Sequence, residues 1–331
     1  MSDKISFYNG TPLDSQRFVA VASFDALEHP AEPSGVAVLL SFALGAGWSV
    51  SRHSDVARVA DVTALDHLGE TLRSGLALTE DGAILSFDPS TSDAQVEGLA
   101  GITTVAFAQS NSELFIIGNA GHFYRDQGDL QFELVTDRHI VPPPTWGASR
   151  AERRAYFRTQ THFMNAESDP DGRIALTEIG KLMVLERELS LTEYLHPRIL
   201  VGVTYDRASG QFWFCGHSPK PVVAREVSPG TFETVYEGSP GMHVFTDLAV
   251  YQGEIYLADT DLGAGGLYVL TPEEGADFEF VPADLPEAFG VLPVWKVEVQ
   301  DGILWALRTK DLLRYDGSEW QQFPIPDVRR P

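Results

Sequence analysis

The sequence contains little cysteine, few basic residues and no long hydrophobic run. Cys215 is the only cysteine, so no disulfide can form within the chain, which is typical of a reducing compartment. The N-terminal segment has no apolar core of signal-peptide length. No window approaches the run of about 18 apolar residues that a transmembrane helix needs. These absences predict a cytoplasmic protein that does not contact a membrane.

The shortage of basic residues makes the chain strongly acidic. Its 24 Lys and Arg residues face 47 Asp and Glu residues, which gives a formal net charge of −23 at pH 7. Such a field repels the phosphates of nucleic acids, so we expect no direct nucleic-acid binding. The same field steers basic partners toward the surface. The alternative interpretation is that the charge serves solubility alone.

A unit of four strands, which we name A to D in chain order, recurs along the chain. It is clearest in the C-terminal half, where short apolar runs at 244–250, 254–259, 267–270 and 278–281 are separated by hairpin-sized turns. The first strand of a matching hairpin, named B, begins near residues 36, 75, 113, 173, 211, 254 and 302. The intervals are about 40 residues, as in propeller blades, except for one of about 60 residues between the third and fourth units.

Seven such units predict an all-β fold, a seven-bladed β-propeller that forms a single domain over residues 1–331. More continuously apolar runs, such as 18–22 in the first unit, are predicted to be the innermost strands, named A, because these are covered on both faces. A generic β-sandwich gives no reason for a recurring four-strand module. The pattern leaves open whether residues 4–8 pair with the seventh blade.

The turns that precede several strands carry a resemblance to known propellers. Asp169-Pro-Asp-Gly172, Gln252-Gly253 and Asp301-Gly302 are similar to the turns of NHL, SMP-30 and Kelch-type repeats. The resemblance is to the architecture of the propeller superfamily and to no specific family. It implies blades of four antiparallel strands around a central channel.

The long interval between the third and fourth units contains a proline-rich basic insertion, at about 137–154. It includes three consecutive prolines and the predicted partner-binding residues Arg138, Trp146, Arg150, Arg153 and Arg154. It connects strand D of one blade to strand A of the next, so we expect it on the channel face that also carries the B–C turns. It is either a partner-contacting arm or an internal clasp for acidic loops.

Residues 167–178 form the sharpest local motif. Its acids include Asp169, Asp171 and Glu178, and Gly172 holds the sixth position, a spacing that resembles the calcium loop of an EF-hand. Glu167 stands where that loop has Asp, and Pro170 interrupts it. If the loop binds calcium, the fold has six blades with a helical EF-hand-like insertion. The competing interpretation is the A–B turn of the fourth blade, with no cofactor.

Other candidate site residues lie in loops expected on the channel face. His217, Asp259 and Asp261 are predicted to contact a partner, although acids such as Asp259 more often end a strand through side-chain-to-backbone hydrogen bonds. No two of the nine histidines have the spacing of a metal site, and no nucleophile elbow is present. A metal-dependent lactonase of the SMP-30 kind would need ligands such as Asn119, Glu178 and Asp259 to converge.

These observations favour a non-catalytic protein whose channel-side face docks a basic protein partner. A concrete form is a bacterial immunity protein or inhibitor that neutralises a toxin. The alternative is a metal-dependent hydrolase or lactonase of the SMP-30 type that uses carboxylates at the channel mouth.

Overall fold

The computed structural model describes most of the chain. The described residues are 5–25, 35–65, 74–88, 94–95, 104–110, 113–118, 122–136, 163–178, 181–187, 189–195, 198–218, 220–261, 265–272 and 278–328. Among them, no helix is long and apolar enough to cross a bilayer. The helix that they contain is a single 3-10 turn, Glu287–Phe289.

The strands form seven antiparallel sheets of four, and each sheet is built from four consecutive strands. Blades one to three consist of β1 (Ile5–Pro12), β2 (Arg17–Asp25), β3 (Gly35–Ala43), β4 (Gly47–Val56); β5 (Val59–Leu65), β6 (Ser74–Thr79), β7 (Ala83–Ser86), β8 (Ala94–Gln95); β9 (Thr104–Ser110), β10 (Glu113–Gly118), β11 (His122–Asp126) and β12 (Phe132–Thr136).

The remaining four blades follow the same A-to-D order. They consist of β13 (Phe163–Ser168), β14 (Ile174–Glu178), β15 (Lys181–Leu185), β16 (Leu191–Leu195); β17 (Ile199–Asp206), β18 (Gln211–Ser218), β19 (Val222–Ser228), β20 (Thr231–Glu237); β21 (Phe245–Tyr251), β22 (Glu254–Asp259), β23 (Leu267–Pro272), β24 (Phe278–Pro282); β25 (Val294–Gln300), β26 (Ile303–Arg308), β27 (Asp311–Tyr315) and β28 (Trp320–Pro324).

The seven first strands line a central channel, because each contacts the first strand of the next blade and β1 contacts β25. The fold is therefore a seven-bladed β-propeller, as the repeat predicts. The six-bladed alternative is wrong. Its proposed calcium loop joins strand β13 to strand β14, where an EF-hand requires a helix on each side.

The first blade corrects one part of the prediction. The run at 18–22, predicted to be an innermost strand, lies in β2, the second strand, and the hairpin around Gly45 joins the third and fourth strands. The innermost strand is β1, which pairs with β2 and with no strand of blade seven. Each blade thus supplies all four of its strands, and the ring closes by packing between blades one and seven.

One hydrophobic cluster fills each junction between neighbouring blades. At the junction that closes the ring, Phe18 of blade one packs on Trp305 of blade seven, with ring centroids 5.7 Å apart. Nearer the channel, the Thr11 hydroxyl donates to Glu298 Oε2 at 2.7 Å. At the outer end, Arg52 donates to the Val328 carbonyl oxygen at 2.5 Å. Contacts along the whole radius therefore hold blades one and seven together.

Glycine is required where the inner strands of blades five and six approach each other. A Cβ atom on Gly202 of β17 would lie 2.7 Å from Cys215 Sγ and 3.0 Å from the Asp247 Cα of the next blade. Distances of that kind force atoms to move, and backbone cannot move cheaply in a packed ring. The absence of a side chain at this position thus sets the spacing of blades five and six.

Two inner hairpins use turns of type I′. Gln252 and Gly253 have φ of 53° and 87°, and Asp301 and Gly302 have φ of 51° and 74°. Two successive residues with positive φ match the right-handed twist of the flanking strands, and glycine adopts this backbone at no steric cost. These are two of the turns on which the resemblance to propeller repeats rests.

Candidate functional site

A β-bulge in the inner strand places a polar residue at the channel in four of the blades. Asp61, Asn165, Asp247 and Lys296 each directly follow a register shift between strands A and B of their blade. An extra residue in one strand bends it and redirects the next side chain. We call these four residues the polar ring.

Three residues of the polar ring, Asp61, Asn165 and Lys296, border a cavity of about 440 Å³ within the channel. Besides ring residues, Thr11, Glu167 and Glu298 line it. It extends to the turns between strands A and B, where the exposed residues Pro170 and Arg207 border it. The cavity therefore lies toward the A–B turns, on the face opposite to the one where the sequence places the partner-binding loops.

A network of charged side chains lines one wall of this cavity. Lys296 Nζ lies 3.1 Å from Glu298 Oε1 and 3.5 Å from Asp247 Oδ2. The Asp247 carboxylate also accepts from the backbone amide of Val297, at 2.9 Å. Because these groups come from blades six and seven, the network fixes one junction while it leaves Glu298 facing the cavity.

The second half of the network joins blades one, two and three. Asn9 Nδ2 donates to Asp61 Oδ1, and the backbone amide of Phe107 donates to Asp61 Oδ2, both at 2.9 Å. Asn9 Oδ1 in turn accepts from the Gly10 amide at 2.7 Å. Both oxygens of Asp61 are thus held by protein donors, so this carboxylate is rigid and its charge is fixed in place.

Glu167 of β13 is held less firmly than the other carboxylates. Within the described part of the chain, the only donor to it is the Ser168 amide, at 3.1 Å from Oε1. Desolvation, with the nearby charge of Glu298, raises its pKa to about 7. The side chain stays partly accessible from the channel. Glu167 therefore offers a free carboxylate oxygen at the cavity.

The cavity carries more negative than positive groups. Four carboxylates, those of Asp61, Glu167, Asp169 and Glu298, line it against two cations, Lys296 and the exposed Arg207. Burial raises the pKa of Asp247 to about 6 and raises that of Asp61, although Lys296 partly offsets both shifts. Burial by itself would lower the pKa of Lys296, but the carboxylates raise it above its usual range. The arrangement thus keeps its lysine charged and retains unneutralised carboxylate around it.

No set of three His, Cys, Asp or Glu side chains that could hold a metal ion occurs among the residues that the structure describes. In residues 167–178, Asp169 Oδ1 accepts from the amides of Asp171 and Arg173, each at 2.9 Å, and Oδ2 accepts from Arg173 Nε at 2.7 Å. Asp169 thus shapes the A–B turn of blade four. The side chain of Glu178 lies outside the described residues, so calcium binding here stays a prediction.

The predicted partner-binding residues of blades five and six lie near the start of strand β21. Asp259 is fully buried, and its oxygens accept from His243 Nδ1 at 2.7 Å and from the amides of Val244 and Asp261 at 2.9 Å. It ends strand β22 by side-chain-to-backbone hydrogen bonds. His217 Nδ1 lies 3.2 Å from the Phe245 carbonyl oxygen.

The sequence places the other candidates in segments that the structure does not describe. The insertion at 137–154, with Arg138, Trp146, Arg150, Arg153 and Arg154, lies outside the described residues, as does Asn119. Their partner-binding and ligand roles stay predictions. The metal-dependent lactonase also stays a prediction, because the structure does not describe the side chains of two of its three suggested ligands, Asn119 and Glu178.

Sequence reasoning missed the polar ring, although the sequence contains a signal for it. In blades two, four, six and seven, strand A reads apolar, any residue, polar, apolar, as in Val59-Ala-Asp61-Val62 and Val294-Trp-Lys296-Val297. A charged residue inside an innermost strand needs a partner. Comparison of this polar position across the repeats would have identified the residues that line the channel.

Comparisons with known proteins agree on the architecture. No family model matches the chain, and no curated protein matches it by sequence. Several solved propellers are similar in structure. YCF48 bound to a D1 peptide has 12% identity and a TM-score of 0.54, and the match covers 83% of each chain.

Two further structures show the same similarity. YCF48 from Cyanidioschyzon merolae has 14% identity and a TM-score of 0.55, with 81% of this chain and 86% of that chain covered. Raptor from Chaetomium thermophilum has 9% identity and a TM-score of 0.55, with 97% of this chain and 29% of that chain covered. At these identities the similarity concerns the fold alone.

Proposed function

We propose that the chain is a protein-binding propeller that docks a basic partner at the channel mouth bordered by the A–B turns. The observation that carries this proposal is the excess of carboxylates over cationic groups, four against two, in the lining of a cavity of about 440 Å³. A lysine or arginine side chain of the partner enters this cavity. Charged groups aligned in a pocket with protein walls attract the opposite charge more strongly than they do in open water.

Glu167 is the group that receives the cation. Its second oxygen has no donor among the described residues, whereas both Asp61 oxygens are occupied. An ammonium or guanidinium group beside Glu167 would form a charge-assisted hydrogen bond and lower the pKa of a carboxylate that burial raises. Thr11 and Asn165 add neutral oxygens to the same wall.

Two wider observations support a protein partner. The net charge of −23 extends the attraction of a basic partner beyond the cavity. A propeller of similar structure, YCF48, is bound to a peptide. An immunity protein or inhibitor that neutralises a basic toxin, expected from the sequence, is one specific form of this proposal.

The test is selection from a random peptide library against the purified chain, followed by calorimetry with an enriched peptide. We expect the enriched peptides to contain lysine or arginine, and we expect Glu167→Gln to weaken binding about tenfold, the effect of one charge-assisted hydrogen bond. Glu167→Lys should abolish binding. The matched controls, Glu133→Gln and Glu133→Lys on the exposed outer strand β12, make the same changes in net charge away from the channel.

The proposal fails if enriched peptides lack basic residues. It also fails if the Glu167 variants and the matching Glu133 variants bind with equal affinity, because the attraction would then be that of net charge alone.

A further inference from the structure

The outer strand of blade one differs from the other outer strands in length. β4 (Gly47–Val56) has 10 residues, whereas β20 has 7, β12, β16, β24 and β28 have 5 each, and β8 has 2. Its inner edge pairs with β3 in an unbroken register from Ala43↔Gly47 to Val36↔Ser54. Among the described strands, none pairs with its outer edge.

The other outer strands carry features that discourage pairing with a further strand. β12, β16, β20 and β24 each contain glutamate, β24 and β28 end in proline, and β8 is short. Charges, prolines and short length are the usual means by which exposed edges avoid edge-to-edge contact. β4 has no proline, and its one carboxylate, Asp55, lies next to its last residue. Its one arginine, Arg52, is held by a hydrogen bond to the Val328 carbonyl oxygen.

The exposed side chains of β4 that the structure describes include one charge, that of Arg52. The exposed residues include three serines, Ser49, Ser51 and Ser54, and Val50, which is 45% exposed. Two side chains can carry positive charge, the exposed Arg52 and the half-buried His53. In a molecule with a net charge of −23, this edge lets a second acidic molecule approach without carboxylates facing each other along its centre. Its positive charge disfavours the basic partner proposed for the channel.

The sequence of β4 is also complementary to itself. Antiparallel pairing about a two-fold axis at Ser51 sets Ser51 opposite its own copy, Val50 opposite Arg52 and Ser49 opposite His53. No two like charges then face each other across the strands, which would destabilise the pair. A two-fold axis makes such an interface closed, so association stops at the dimer.

We propose that β4 is a self-association edge, through which two copies of this chain join their first blades into one continuous eight-stranded sheet. The contact buries a single strand edge on each side, so the dimer is weak and depends on concentration. Since each molecule carries the same excess of negative charge, salt screens the repulsion and strengthens the dimer. Salt has the opposite effect on a basic partner at the channel.

The decisive experiment is cross-linking of the full chain with Ser51→Cys. In an antiparallel pair, opposite Cα atoms lie about 4.5–5.5 Å apart, which is within reach of a disulfide. The natural Cys215 is fully buried and does not compete. Under oxidised glutathione we expect S51C to form a covalent dimer at least tenfold faster than Thr234→Cys, an exposed position on outer strand β20 that serves as the control.

Sedimentation equilibrium supplies the second measurement. The wild-type chain should shift from monomer toward dimer at high concentration, more so at high than at low salt, and Ser51→Lys should remain monomeric because two ammonium groups would meet on the axis. Unchanged melting temperatures confirm that the variants are folded. A wild-type chain that stays monomeric overturns the proposal, as does equal cross-linking of S51C and T234C. A dimer that S51K leaves intact overturns this pairing as well.

Discussion

At the scale of single residues, Glu167 combines accessibility with an unfavourable electrostatic environment. Its carboxylate faces the cavity, yet desolvation and the charge of Glu298 raise its pKa from 4.5 to about 7. A group whose pKa is raised on folding binds more protons in the folded than in the unfolded state between those two values. The contribution of Glu167 to stability is thus full below pH 4.5 and is lost as the pH rises to about 7.

We therefore predict that Glu167→Gln stabilises the fold at neutral pH but not in acid. The amide keeps the size of the side chain and removes the charge, so the variant should gain up to about 3 kcal/mol over wild type as the pH rises from 4.5 to 7.5. Denaturant unfolding at several pH values measures this gain. Glu133→Gln should run parallel to wild type, and a Glu167→Gln curve that also runs parallel would contradict the raised pKa.

At the scale of elements, the A–B turn of blade four joins two blades through one arginine. Arg173 pairs with Asp169 at 2.7 Å and with Glu226 of blade five at 3.1 Å, and both carboxylates are nearly inaccessible, at 2% and 3% exposure. Its guanidinium also lies over the Phe212 ring. The motif that resembles a calcium loop in sequence is thus built around an internal cation, which supplies the positive charge for its acids.

Removal of this cation should be costly. We predict that Arg173→Ala destabilises the fold by about 3–5 kcal/mol, because two buried carboxylates lose their counter-charge. Arg225→Ala is the matched control, since Arg225 also lies over an aromatic ring but pairs with Glu233, which is 51% exposed. Its loss should cost less than about 1 kcal/mol. Equal losses, measured by chemical denaturation, would mean that the contact between blades does not depend on the buried pair.

Blades two to seven and blade one show what the strand pattern can and cannot predict. From the second blade onward, the predicted hairpins match the strands of the structure, because turn residues bracket each apolar run. In blade one, β1 reads Ile-Ser-Phe-Tyr-Asn-Gly-Thr-Pro, and its Asn9, Gly10 and Pro12 are typical of turns. β2 is buried on both faces like an innermost strand, so apolar continuity could not separate the second strand from the first.

The candidate site was less predictable than the fold, and the reason is geometric. The residues of the cavity come from inner strands of several blades, separated by up to 287 positions in the contact between Thr11 and Glu298. Local spacing, the signal that motif searches use, contains no information about such contacts. The repeat does contain it, because equivalent positions in successive blades meet at the channel axis.

At the scale of the whole molecule, ring closure depends on contacts of the same kind at every junction. Blades three and four meet through the cluster of Phe115, Phe123 and Ile174 and through the Ser168 hydroxyl, which donates to the Gln109 carbonyl oxygen. Blades one and seven meet through Phe18, Trp305 and the Thr11–Glu298 hydrogen bond. Neither junction exchanges a strand, so we infer that packing and these hydrogen bonds hold blades three and four together.

A circular permutant tests this equivalence. We predict that joining residues 331 and 1 by about 12 Gly and Ser residues, which span roughly 20 Å, and opening the chain within 137–154 yields a folded propeller. Its melting temperature should change by only a few degrees, since no blade is divided and every junction keeps its cluster and hydrogen bonds. Adding Trp305→Ala should cost the permutant and the parent chain the same free energy of unfolding, about 3–5 kcal/mol. A permutant that fails to fold would contradict this prediction, as would one that Trp305→Ala destabilises far less than it destabilises the parent chain. Either result would show that the covalent connection holds blades three and four together, as packing holds blades one and seven together.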